Sequence, residues 1–451
     1  MIAEVVLFGL LAILTGLLAY KPLLQILNKS KTNAAAPKKK PAAAAPKKVH
    51  YDANAPIPEP TPLDITPEQV KTYDDRPWRP FRWPYHQTMS IYKLDINHWL
   101  DMDKYYWHYI EEKQRIHHKY GDLNFGWLEE SDAACEELLD TVVSHMLKRY
   151  PKLFTSNDNG VHVKNELTGE VMDLSRPLME HPMMYVSRMA KEDFYLVQKR
   201  DDGLHYLTAA AVPFPGGSFD IKPKLGKNLD IIHTNVPYYE SKLKKSMERW
   251  FSKMTASDPV ERASWFLSWD YDLFCSAVHT VPNDSKIDPS VDPKSFIVRV
   301  ERQALRRLPK TQAIIFTNHP IHYTIEEMKD EPMIPSLLKK IMYEAPDDIV
   351  KYKHFESFRD HLVPYLDSLI QRQLDLGIIT EETPLKTQSS YPFAHWVEQS
   401  DETKGWNNAK VEEDNAAYER LKADATAHEA VLGKDQVTID SKQKVEKIHQ
   451  H

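Results

Sequence analysis

The stretch Phe296-Ile297-Val298-Arg299-Val300-Glu301-Arg302-Gln303-Ala304-Leu305-Arg306-Arg307-Leu308-Pro309 lays a dense set of charges directly onto a strand-like apolar run. Ile297, Val298 and Val300 interleave with arginines and a glutamate, which predicts a half-buried strand running into a short turn. A second apolar run, Ala313 to Thr317, follows Lys310 as the next strand. On this reading Arg302, Arg306 and Arg307 converge near one turn, where their planar forks of donors suit an anionic ligand. The same residues equally suit a buried structural ion pair centred on Glu301.

Upstream, Phe194 to Arg200 and Leu204 to Val212 flank Asp201-Asp202-Gly203, which reads as a hairpin with a turn-forming Asp-Gly. Pro213 to Ser218 then forms a rigid turn, and Gly226 to Val236 leads past His233 into a helix from Tyr239 to Met254. Helical spacing marks Leu94 to Gly121, Ser131 to Tyr150, Ile325 to Tyr343 and Phe355 to Leu376. Trp78 to Tyr85 is an aromatic, proline-spaced strip on whose rings Arg79 and Arg82 are expected to stack. The fold class is α+β, a central sheet with surrounding helices.

At 451 residues and 42% hydrophobic content the chain can bury a substantial core, and its net charge of −7 gives no general nucleic-acid surface. Cys135 and Cys275 are too few and too far apart for a disulfide framework, a structural zinc site or an iron–sulfur cluster. Val5 to Tyr20 is an apolar run that, with its flanks, reaches about 20 residues, enough to cross a bilayer core. Ala19-Tyr20-Lys21-Pro22 is a poor cleavage site, so the run reads as a retained anchor. The lysine-rich, acid-free segment from Lys21 to Lys48 predicts a single-pass membrane protein with its body facing the cytosol. The expected organisation is an anchor over 1–27, an Ala/Lys/Pro-rich linker over 28–72, one folded domain over 73–395 and a polar tail over 396–451.

Met89 to Asp95, Trp99 to Tyr105, Glu192-Asp193-Phe194, Lys224 to Lys227, Ile232 to Pro237 and the Arg299–Pro309 string together resemble the alpha-subunit family of heme-dependent oxidative N-demethylases, which has many fungal members. The resemblance spans roughly residues 76–375 and is most specific at Val300 to Pro309. It implies a PAS-like heme-binding sheet holding heme b, fed with electrons by a separate flavin and iron–sulfur reductase, that demethylates a small secondary amine. The chain itself lacks a dinucleotide-binding glycine loop and a ferredoxin cysteine set, in keeping with an external donor.

Within that reading His233 is the candidate metal and heme ligand, although a core histidine satisfied by a backbone carbonyl accounts for it equally. His319 and His322 are the second choice; a threonine–tyrosine segment is common in the family where these histidines stand. Arg302, Arg306 and Arg307 are candidate partners for the heme propionates. Glu192, Asp193 and Glu301 are candidate catalytic carboxylates that would face a cationic amine, while Glu192 and Asp193 equally suit capping the hairpin or facing solvent. A different class of function on the same scaffold is a non-catalytic, membrane-anchored adaptor or heme sensor.

Overall fold

The computed structural model describes residues 55–74, 76–85, 87–216, 220–274 and 286–395. In chain order its elements are α1 (Pro67–Val70), β1 (Tyr92–Lys93), α2 (Tyr106–Tyr120), β2 (Phe125–Trp127), α3 (Asp132–Arg149), β3 (Phe154–Thr155), β4 (His162–Asn165) and β5 (Val171–Asp173). There follow α4 (Pro182–Met189), β6 (Asp193–Lys199), β7 (His205–Ala211), α5 (Ile221–Lys224), α6 (Leu229–Ile232), α7 (Lys244–Lys253) and β8 (Val260–Ser268). The chain then forms β9 (Ile297–Arg307), β10 (Ile314–Thr324), α8 (Ile334–Glu344), α9 (Asp347–Tyr352) and α10 (Phe355–Asp375). The expected α+β class holds.

Seven strands make one antiparallel sheet in the order β1-β8-β9-β10-β6-β7-β2, with β9 near its centre; β3, β4 and β5 form a small second sheet. Both ladders of β9 are long, so its flanking strands cover it on either side and its burial is nearly complete rather than half. Residues paired across an antiparallel ladder share a face, and neighbours along a strand take opposite faces. One face, bearing Phe194, Leu196, Ala304 and Ile315, packs against α2, α3 and α4; further along, Val298, Val300 and Trp265 pack against α8, α9 and α10. The other face, bearing Tyr195, Val197, Leu305 and Ile314, is covered at one end by Trp250 and Phe251 of α7. We call these the helix-backed face and the open face.

Several expectations shift. β10 runs on past Thr317 to Thr324, through a proline that argues against strand. The proline is tolerated because β6 pairs with β10 only as far as Asn318, so Pro320 has no strand on that outer edge; its carbonyl instead accepts the Tyr109 hydroxyl at 2.5 Å. Packing also begins upstream of Tyr73, inside the segment read as linker: Ile65 and Val70 are buried, and Thr66 with Gln69 forms a capping box that starts α1. The helix expected from Leu94 forms only from Tyr106, and that expected from Ile325 only from Ile334.

Among the described residues no helix is long and apolar enough to cross a membrane. The Val5 to Tyr20 run, most of the linker and the polar tail lie outside the described residues.

Arg79 does not stack on its own aromatic strip. Its guanidinium lies over the Tyr323 ring, 4.2 Å from the centroid, and pairs bidentately with Glu331 at 2.6 and 2.8 Å, both residues being buried. Removing one partner of a buried pair strands the other charge in low dielectric, which costs roughly 3–5 kcal/mol. Arg79→Met is therefore expected to lower the urea-unfolding free energy by about that much, and the Arg79→Met/Glu331→Met double variant to recover most of the loss. Additive losses in the two single variants would show that the pair is not coupled.

Candidate functional site

Register alone assembles a polar patch at the centre of the open face. Arg262, Gln303, Asn318 and Asp193 form one row across β8, β9, β10 and β6; the next row holds Ser264, Glu301 and Pro320, and the one after it Phe266, Arg299 and His322. Successive rows on one face are about 7 Å apart along the strands.

Glu301 is the hub of this patch. Its carboxylate accepts the Arg299 Nε–H at 2.6 Å and an Nδ2–H of Asn318. Arg299 in turn donates to the carbonyls of Asp272, Leu273 and Phe214 at 3.0 to 3.2 Å, so one guanidinium ties two loops to the carboxylate. The 213–216 loop lies so close that a Cβ on Gly216 would sit 2.5 Å from Glu301 Oε1; only glycine fits there.

Asp193 accepts the Phe214 amide N–H at 3.1 Å. Burial pushes its carboxyl well above the usual range and the Glu301 charge adds to the push, while Lys113 draws it back. Lys113 itself is brought down to about 8 by burial; its ammonium donates to the carbonyls of Ala190, at 2.8 Å, and Glu192. A buried carboxyl held towards its protonated form beside an ion-paired carboxylate can store or release a proton.

His233 stands over the open face at the end of α6, where Leu229 and Ile232 pack against the open-face cluster. Its Nδ1–H donates to the Leu229 carbonyl at 2.7 Å, and its ring stacks on Tyr239 with centroids 5.2 Å apart and planes 14° from parallel. A carbonyl can only accept, so Nδ1 carries the proton and Nε2 keeps its lone pair. Burial lowers the imidazole pKa, with Arg262 and Lys224 adding to that effect against the Leu229 carbonyl and Asp230. Arg262 has a buried Nε with no partner and is surrounded by Tyr352, Arg82, Tyr391 and Tyr85. Its own pKa is lowered by burial. A cleft of about 270 Å³ is bordered by Leu229 and Tyr239. It is lined by Asp202, Asp230 and Glu248 and touches neither Arg262 nor the carboxylate patch.

The other candidates from sequence are dispersed. Arg302 faces the helix-backed side, in an ion network with Asp101 at 3.0 Å, Glu261 at 3.5 Å and Glu192 at 3.7 Å, to which Arg76 adds a 2.8 Å pair with Glu261. Burial opposes the Asp101 carboxylate, but Arg302, His98 and Arg76 outweigh it and hold its pKa well below the usual range. Glu192 belongs to this network: its Oε1 accepts the Asp101 amide at 3.1 Å, and burial raises its pKa against Lys191 and Arg302. Consecutive residues Glu192 and Asp193 thus serve opposite faces and cannot both meet one amine.

Arg306 lies on the Trp99 ring, 4.1 Å from its centroid, whereas Arg307 donates to the carbonyls of Gln312, at 2.9 Å, and Phe251. Arg302, Arg306 and Arg307 therefore do not form the expected single clamp, because strand alternation sends the first two to one face and the third to the other. The same rule places His319 and His322, three residues apart, on opposite faces, so they cannot share a metal. Sequence reading missed Arg262, Arg299, Asn318 and Lys113. For Arg262 a signal was present: Arg262 to Trp265 alternates polar and apolar as a strand does.

The open face thus carries a polar patch centred on Glu301 and, at the end of α6, an imidazole tethered to a backbone carbonyl. The chain belongs to the family described as haem-dependent oxidative N-demethylase, alpha subunit-like, whose model matches residues 90–363. Those residues enclose the open-face rows and His233. Membership gives the protein a heme-dependent, oxidoreductase-like role and, as an alpha-subunit-like chain, implies a partner.

The raised Asp193 pKa has a defined effect on stability. Above the ordinary carboxyl pKa the unfolded chain releases a proton that the native chain retains, so stability falls as pH rises from about 4 until native Asp193 ionises. Asp193→Asn keeps the Phe214 contact and removes the titration. It is expected to flatten the pH dependence of the melting temperature, gaining on the parent at pH 7 relative to pH 4; an unchanged slope would assign it to other groups.

Proposed function

We propose that this chain is a heme b protein catalysing oxidative N-demethylation of a small secondary amine, with heme over the open face of a PAS-like sheet and electrons from a separate flavin and iron–sulfur reductase. The observation that carries the reading is the His233 tautomer. A Nδ1–H bonded to the Leu229 carbonyl leaves Nε2 as a basic, fixed ligand atom, the arrangement that iron-binding histidines need. Arg262, with its unpartnered buried Nε, supplies the charge for a propionate in place of Arg302, Arg306 and Arg307. The residues present fit the group.

Bound and reduced heme supplies oxygen activation; the remaining work falls to the chain. Glu301, oriented by Arg299 and Asn318, faces the cationic amine and fixes its approach. Asp193 holds a proton within the same patch. The 213–216 loop, seated on Glu301, shields the carboxylate from water, and Lys113 anchors the start of β6 beneath it. The reading further assigns the Val5 to Tyr20 run as a membrane tether with the body in the cytosol, supported by its apolar length and its lysine flank.

The test is an absorption spectrum of the full chain supplied with heme, recorded oxidised, dithionite-reduced and with carbon monoxide. A Soret band that moves in each state, is lost in His233→Ala and survives in His322→Ala is expected. A colourless protein would overturn the reading, and a band that survives His233→Ala would move the ligand elsewhere. Glu301→Gln is expected to keep the band while lowering amine-dependent oxygen consumption with a supplied reductase by about 100-fold or more. Unchanged turnover in that variant would remove Glu301 from the site.

A further inference from the structure

On the helix-backed face, the far end of β9 meets the C-terminal turns of α3 in a cluster of donors, of which Arg149 gives one Nη1–H to the Thr61 carbonyl at 2.9 Å. Arg306, 9% exposed, lies over Trp99; the His145 ring meets Trp99 edge to face at 5.1 Å; Arg149, 8% exposed, lies over Tyr150. Both ring nitrogens of His145, the Trp99 indole Nε1 and the Arg149 Nε are buried with no hydrogen-bond partner. Among the described residues no carboxylate pairs with the Arg306 guanidinium.

The two carboxylates whose charges reach this cluster are engaged elsewhere. Glu59, which faces Arg306 from the N-terminal segment, is exposed and bound to Lys148. Asp101, which faces His145, is held by Arg302 and His98. Burial lowers the Arg306 pKa to about 10, and burial together with Arg306 and Arg149 lowers that of His145.

An arginine taken out of water without a counter-charge is expensive, and stacking on one indole recovers only part of the cost. Elsewhere along the strand the chain pairs its buried arginines: Arg302 has Asp101, and Arg299 has Glu301. Arg306 departs from that pattern, with Arg149 close enough for both to act on His145. We propose that Arg306, Arg149 and the Trp99 indole N–H bind a small oxyanion, a phosphate or carboxylate group, that reaches Arg306 through its narrow window to solvent. This site is on the sheet face opposite His233 and is independent of heme binding.

The probes are inorganic phosphate and acetate, each against sodium chloride at equal ionic strength, with the melting temperature of the full chain as readout. A saturable rise of about 3 °C is expected. Phosphate acting alone would identify a phosphate group as the ligand; an equal effect of acetate would identify a carboxylate. Arg306→Gln and Arg149→Gln should each abolish the saturable shift while leaving the Soret spectrum of the heme-loaded protein unchanged. Phosphorus NMR of the parent chain should show inorganic phosphate broadened by exchange, a readout that needs no variant. The proposal is overturned by the absence of any saturable effect of either anion, or by the same shift in Arg306→Gln. It is also overturned if Arg306→Met melts higher in chloride and the parent does not respond to anions, the behaviour of a guanidinium that merely packs on Trp99.

Discussion

Because successive side chains on a strand point to opposite faces, the charged residues of β9 divide into two sets that cannot see one another across the sheet. Arg299 and Glu301 belong to the open face, Arg302 and Arg306 to the helix-backed face. With strands on both sides, each charge loses water and must find a partner inside the protein. The surrounding architecture meets that demand for Arg299, Glu301 and Arg302, while Arg306, among the described residues, has only the Trp99 ring. Asp101, Glu192 and Glu261 arrive from three different segments to neutralise Arg302, while Asn318, Asp272, Leu273 and Phe214 complete the shells of Glu301 and Arg299.

Such networks are poor sources of net stability, since desolvation cancels much of the attraction. Their consequence is precision. Arg299 makes its bonds to loops whose positions the sheet does not otherwise determine, and the missing side chain at Gly216 lets one of those loops lie directly on Glu301. The carboxylate is therefore oriented before any ligand arrives, which lowers the reorganisation a cationic substrate would require. Asp193 and Lys113 show the cost of the same dry environment: burial opposes the charged form of each.

The imidazole on the open-face side obeys a different logic. His233 lies outside the sheet, on a short helical turn held down by Leu229 and Ile232, and its orientation comes from one carbonyl and one stacked tyrosine. Local sequence is enough to build that turn, because Asn228 caps it and His233 bonds back to Leu229 within it. What faces the imidazole across the open face is contributed by β8, some thirty positions further on in the chain.

By itself the sequence determined the strand character of β9, the Asp-Gly hairpin of β6 and β7, the helices α3 and α10, the α+β class and the motif strings of the family. These rest on period, turn chemistry and local order. It also placed His233 and Glu301 among the residues worth attention. Tertiary structure alone decided which charges meet. Reading Arg302, Arg306 and Arg307 as one clamp treated nearness along the chain as nearness in space, and alternation along β9 forbids it. Arg262 and Asp193 share a row only because four strands align in one register, and Asp101 reaches Arg302 only because a loop two hundred positions earlier folds against the sheet. Contacts of that range follow from the packing of whole elements, and no local pattern carries them.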